Sequence, residues 1–163
     1  MPGALQYRNL LQTLTDHAVD YIVVGGVGAV LQGASISTLD LDVVYSLEAG
    51  NLERLVSALE ELDAVYRAQP ERRLMPKFAH LAAGGHNLLI TRFGPLDVLG
   101  SAGNGRMYRD LKPHSTPTDL GGGLVVPILD LETLIAIKEE VGGEKDLAVL
   151  PILRRALEES RRR

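Results

Sequence analysis

Asp40 and Asp42 are separated by one residue within Thr38 to Tyr45, a TLDLDVVY run that alternates polar and apolar residues before becoming wholly apolar. A strand puts residues two apart on one face, so the two carboxylates share a surface while Leu39, Leu41 and Val43 turn to the other. Carboxylates placed side by side repel, and their placement calls for a cation, a basic partner or water. A hard divalent cation that takes oxygen ligands, such as Mg²⁺, is the natural candidate. Acidic residues are also common at exposed strand ends, so the pair gains meaning from its neighbours. Gly25-Gly26 closes the apolar run Tyr21-Ile22-Val23-Val24 and opens a small-residue segment. Free backbone N–H groups at such a helix start can hold a phosphate, although the same glycines also suit a plain tight turn. Asp97 lies between Leu96 and Val98, where a charge is costly unless it reaches the same polar surface. Three carboxylates on neighbouring strands beside a glycine-opened helix can hold two cations, an arrangement used in phosphoryl or nucleotidyl transfer.

Positioning these groups requires a scaffold, and the hydrophobic pattern outlines one. Leu5, Leu10, Leu11 and Leu14 predict an amphipathic helix ending near Asp16-His17. Tyr21 to Val24 reads as a buried strand, and Val27 to Gln32 as a helix whose Gly28 and Ala29 allow close packing on a sheet. Leu52, Leu55, Val56, Leu59 and Leu62 mark a further helix with charges on its far side. Strands are expected at Asn87 to Thr91 and Leu96 to Leu99, joined through Phe93-Gly94-Pro95. Gly100 to Gly123, rich in Gly, Pro, Ser and Thr, reads as a long, partly ordered connection. Leu124 to Leu129 then suits a strand, and Asp130 an N-cap for a helix running to Glu140 and stopped by Gly142-Gly143. The remainder reads as helical, with Pro151 starting a new helix.

The expected fold is therefore α/β (α+β), a short mixed sheet with helices on one face and a C-terminal helical segment packed alongside. The 163 residues and ordinary apolar fraction suit one domain, with a core over about 18–100 and a helical appendage over about 124–163. A formal net charge of -4 supplies no global field for a nucleic-acid backbone. The absence of cysteine excludes disulfides and thiolate metal sites, and with no apolar run of membrane length the chain is expected to be soluble and cytoplasmic. His80, His86 and His114 lack metal-ligand spacing. Arg72-Arg73 with Lys77 forms a small basic cluster that suits either a solvated surface or a polyanionic acceptor.

The motif Val24-Gly25-Gly26-Val27-Gly28-Ala29, then Gly33, Ser37-Thr38-Leu39-Asp40-Leu41-Asp42-Val43 and later Leu96-Asp97-Val98-Leu99 resembles the polymerase-beta-type nucleotidyltransferase superfamily. The likeness is greatest to small bacterial members similar to the minimal nucleotidyltransferases and to abortive-infection toxins. It spans about Tyr21 to Leu99 and extends more loosely to Ile128 to Lys138 and Lys145-Asp146. The resemblance implies Asp40, Asp42 and Asp97 as catalytic and metal-binding residues, with Gly25, Gly26, Thr38 and Lys138 on the nucleotide. It implies Mg²⁺ or Mn²⁺, and a nucleoside triphosphate whose nucleotidyl group passes to a hydroxyl. The acceptor is expected to be a protein or small molecule rather than RNA, with no membrane involved and a cognate partner protein conceivable. Two departures stand out. Relatives commonly carry an arginine where this chain has Ile36, and a serine after the glycine pair where it has Val27. The alternative they imply is a catalytically silent nucleotide-binding or protein-interaction module of the same fold, within a toxin–antitoxin system.

Overall fold

The computed structural model describes residues 6–36 and 40–162. Leu5 and Ser37-Thr38-Leu39, and with them the expected nucleotide contact of Thr38, lie outside the described residues. In chain order the elements are α1 (Tyr7–Asp16), β1 (Tyr21–Val23), α2 (Gly26–Leu31), β2 (Leu41–Tyr45), α3 (Ala49–Glu61), β3 (Val65–Tyr66), α4 (Phe78–Ala82), β4 (His86–Thr91) and β5 (Gly94–Leu99). There follow β6 (Ser101–Ala102), β7 (Arg106–Met107), α5 (Tyr108–Leu111), β8 (Ser115–Asp119), β9 (Val125–Leu129), α6 (Leu131–Val141) and α7 (Glu144–Arg161). The expected α/β class is the one observed.

Seven strands form one mixed sheet in the order β3-β4-β5-β2-β1-β9-β8. β2 runs parallel to β5, and β1 parallel to β9, while the other neighbours are antiparallel. Strand alternation sorts the side chains into two cores. Leu41, Val43, Leu96 and Val98 face α1, α3 and α4, where Leu10, Leu14, Leu55, Leu59 and Leu81 are buried. Ile22, Val24, Val44 and Leu129 face α6 and α7 through Leu134, Ile135, Leu150 and Leu153. Helices thus cover both faces, a correction to the expectation of one covered face: the C-terminal pair lies opposite the first three. Asp42 and Asp97, out of step with the first core, turn toward the second.

Two further expectations change. The segment from Gly100 to Gly123 is structured, holding the β6–β7 hairpin, α5 and β8. Its strand signal was invisible because β8 (STPTD) is a sheet edge pairing on one side with β9, and an edge strand needs no apolar alternation. Pro151 does not begin a helix but sits inside the continuous α7. Burial of Leu150, Leu153 and Ala156 on α6 offsets the hydrogen bond that proline removes. Asp130 does cap α6, accepting from the Thr133 backbone N–H at 2.7 Å, and Gly142 ends it at φ 66°. Among the described residues no helix is long and apolar enough to cross a membrane.

Asn51 on α3, 1% exposed, fixes the loops at the far end of the β1–β2 pair. Its Oδ1 accepts from the Asp20 N–H at 2.6 Å, and its Nδ2 donates to Asp20 O at 3.2 Å and Ser46 O at 2.8 Å. Asn51→Ala strips the Asp20 N–H and Ser46 O of this partner while Asp20 O keeps the Ser46 N–H, and urea unfolding is expected to show a loss of about 3 kcal/mol.

Candidate active site

Gly25 caps α2 directly after β1, with an extended backbone of φ -99° and ψ -150°. A Cβ at Gly25 would lie 1.9 Å from Asp42 Oδ2 and 2.7 Å from its Cγ, so glycine alone lets the turn and the carboxylate share this space. Val24 N–H donates to Asp42 O at 3.0 Å, locking the turn to β2. The first N–H groups of a helix have no partner within it. At the start of α2 they border the same cavity as Asp42. α2 is a six-residue helix, so its dipole is short and any anion would be held chiefly by these N–H groups.

The parallel β2–β5 pairing sets Asp42 directly beside Asp97. Asp40 immediately precedes β2, and one oxygen from each of the three carboxylates lies within 4.8 Å of the other two. Oxygens around a Mg²⁺ at about 2.1 Å are separated by up to about 4.2 Å. Side-chain rotations that bring neighbouring oxygens to about 3 Å, the spacing of adjacent ligands at that distance, would close the set onto one such ion. The chemistry of the donors also fits a hard cation. Asp97 Oδ1 is buried without a hydrogen-bond donor, although Arg67 Nη2 stands 3.1 Å away, a charge contact out of line for a hydrogen bond. Burial is the main cause that pushes the Asp42 carboxyl up, to about 7. The hydrogen bond with Asp97, the charge of Asp97 and that of Asp40 add to it, and Lys138 pulls the other way. Without a cation, burial and the neighbouring carboxylates thus favour the protonated form of Asp42.

Lys138 stands on α6 with Nζ 2.9 Å from Asp146 Oδ1 on α7. It lines a cavity of about 510 Å³ together with Gly25, Gly26, Asp40, Asp42 and Lys145, a volume suited to a small ligand. The structure therefore gathers Gly25, Gly26, Asp40, Asp42 and Lys138 around one cavity, with Asp97 beside Asp42. A larger cavity of about 870 Å³ opens at the opposite end of β1 and β2, by Asp20, Ser46 and Tyr108. It mixes Asp20 and Glu48 with Arg109 and Lys112 and has no comparable cluster of one charge.

No family model matches the sequence, and no curated protein matches it. Among solved structures, a candidate nucleotidyltransferase from Thermotoga maritima aligns over 94% of this chain and 91% of its own, with a TM-score of 0.56 and 16% identity. The chain has a nucleotidyltransferase-like fold. At that identity the likeness concerns the path of the backbone, and the site rests on its own geometry. Within this nucleotidyltransferase-like fold, sequence reasoning passed over two cations. Lys145 borders the cavity from the start of α7, where the Lys145-Asp146 pair was a signal left without a role. Arg67 follows a two-residue strand, too short for any periodic pattern to reveal. Ile36 lines the cavity as an apolar wall.

Proposed function

We propose that the protein is a metal-dependent nucleotidyltransferase, moving a nucleoside monophosphate from a nucleoside triphosphate to a hydroxyl on a protein or small molecule. The observation that carries this reading is the meeting of Asp42 and Asp97 in register beside a glycine turn that has no room for a side chain. Backbone N–H groups at Gly25 and Gly26 would donate to the phosphates, with Thr38 expected to assist. Lys138 and Lys145 would add positive charge on the facing wall, which Ile36 does not. Asp40, Asp42 and Asp97 would hold Mg²⁺ or Mn²⁺, which when bound neutralises charge on the phosphates and acidifies the acceptor hydroxyl. Asp97 would accept the proton of that hydroxyl. Its oxygen then bonds to the α-phosphorus as the bond to the departing pyrophosphate breaks. The chain's part is in-line alignment and stabilisation of developing charge.

The acidic balance of the chain disfavours RNA as acceptor, and the supply of triphosphates and Mg²⁺ inside cells makes the cytoplasm the proposed place of action. The test is transfer of an α-labelled nucleotide to acceptors in cell extract, comparing wild type with the Asp40→Asn/Asp42→Asn double variant. A labelled product formed by wild type alone supports the reading. No product from any of the four ribonucleotides would overturn it. Ile36 on the cavity wall favours the second reading, a silent nucleotide-binding partner protein of a toxin–antitoxin pair. That reading predicts nucleotide binding by calorimetry with no labelled product.

A further inference from the structure

Arg67 leaves β3 and folds back over the neighbouring strand. Its backbone N–H donates to Leu88 O at 2.9 Å and its Nη1 to Leu89 O at 3.3 Å. These two anchors bring Nη2 to 3.1 Å from Asp97 Oδ1. The Arg67 side chain is 32% exposed and that of Asp97 11%, so the carboxylate end of the pair is the more deeply buried. Asp97 Oδ1 accepts no hydrogen bond. Oδ1 of Asp97 thus has a guanidinium as its close charged neighbour.

A guanidinium keeps its charge at any working pH and presents a rigid fork. A second positive ion approaching Oδ1 would meet that charge at short range in a poorly hydrated place. With Oδ1 facing the guanidinium, Asp97 keeps one oxygen for a cation, and Arg67 already balances one of the three carboxylate charges. We propose that Arg67 stands in for a second cation, so that the nucleotide-free protein takes up one divalent ion through Asp40, Asp42 and Asp97 Oδ2. This inference rests on the metal-dependent reading above. Arg67 is a positioning residue: it acts through Asp97, holding that carboxylate to one coordinating oxygen. A further ion enters only with the phosphates that bring the negative charge to balance it.

The test is a Mn²⁺ titration of the nucleotide-free protein, with unbound ion read by electron paramagnetic resonance, on wild type, Arg67→Gln and Arg67→Lys. Circular dichroism and thermal melts establish that each variant is folded. Wild type is expected to bind one ion per chain. Arg67→Gln is expected to bind a second, or to hold the first at least about tenfold more tightly, and Arg67→Lys to return to wild-type behaviour because it restores the charge. A structural role alone would weaken the glutamine variant and would not be rescued by lysine. Two ions on wild type, or an Arg67→Gln titration that is unchanged or weaker, overturns the role of Arg67 and leaves the metal-dependent reading intact. No ion bound by any of the proteins overturns both.

Discussion

Asp42→Asn is expected to raise the melting temperature of the metal-free protein at pH 8 while lowering nucleotide transfer by at least about 10³-fold. The two effects have one cause. In the folded chain the Asp42 carboxyl is pushed from 3.8 to about 7, first by burial and then by Asp97 and Asp40. In the unfolded chain it titrates near its ordinary value of about 3.9. Between those values the folded state holds a proton that the unfolded state has released, so stability falls as pH rises through this range. Above pH 7 the penalty is fully present. Asparagine resembles the neutral acid in size and carries no charge, so the variant escapes the penalty.

Allowing for solvent screening of the charge, the gain is about 2 kcal/mol, or roughly 5 °C for a chain of this size. At pH 4 the wild-type carboxyl carries its proton when folded and much of it when unfolded, and the two melting curves should lie close together. Adding Mg²⁺ at pH 8 should stabilise the wild type and leave the variant nearly unmoved. Scanning calorimetry at the two pH values, with and without chelator, measures all of this. A variant less stable than wild type at pH 8 would show that Asp42 serves the fold rather than a ligand. Such a site trades stability for function in the way expected of binding sites.

Gly25→Ala is expected to abolish metal binding and transfer together. The added methyl would stand 1.9, 2.7 and 2.9 Å from Asp42 Oδ2, Cγ and Cβ. No rotation of the methyl relieves this overlap, so the turn or the carboxylate must move. Either shift separates Asp42 from Asp97, and the overpacking costs about 1–3 kcal/mol of stability. Gly28→Ala is the control, because its nearest contacts are Val23 Cγ1 at 3.3 Å and Ile128 Cγ2 at 3.4 Å. These are apolar tips in a packed layer, and the control should keep its Mn²⁺ titration. Equal loss in both variants would mean that α2 as a whole, rather than the space at Gly25, governs the site.

The legible part of the molecule was the part encoded locally. Asp40-Leu41-Asp42 and Leu96-Asp97-Val98 stand out because a charge interrupts a strand period, and Gly25-Gly26 because it follows an apolar run directly. Asp130 and Gly142 mark α6 by cap chemistry alone. What stayed hidden depends on distant neighbours. Arg67 gains its place by anchoring to β4 across the sheet edge, β8 is a strand because β9 lies beside it, and α7 continues through Pro151 because α6 holds its buried face. The side of the sheet taken by the C-terminal pair was equally unreadable, since apolar strand residues serve either face alike.

The parallel pairing of β2 with β5 also fixes when the site can come into being. A parallel neighbour cannot be reached by a tight turn, and here the chain passes through α3, β3, α4 and β4 before β5 arrives. During synthesis Asp40 and Asp42 emerge long before the carboxylate that completes them, and their mutual approach to Asp97 waits on the closure of a large loop. Repulsion among the acids enters at that closing step, so a cation or a proton should speed the final docking of β5 more than any earlier event. A nascent chain would therefore acquire its secondary structure before it acquires a centre able to do chemistry.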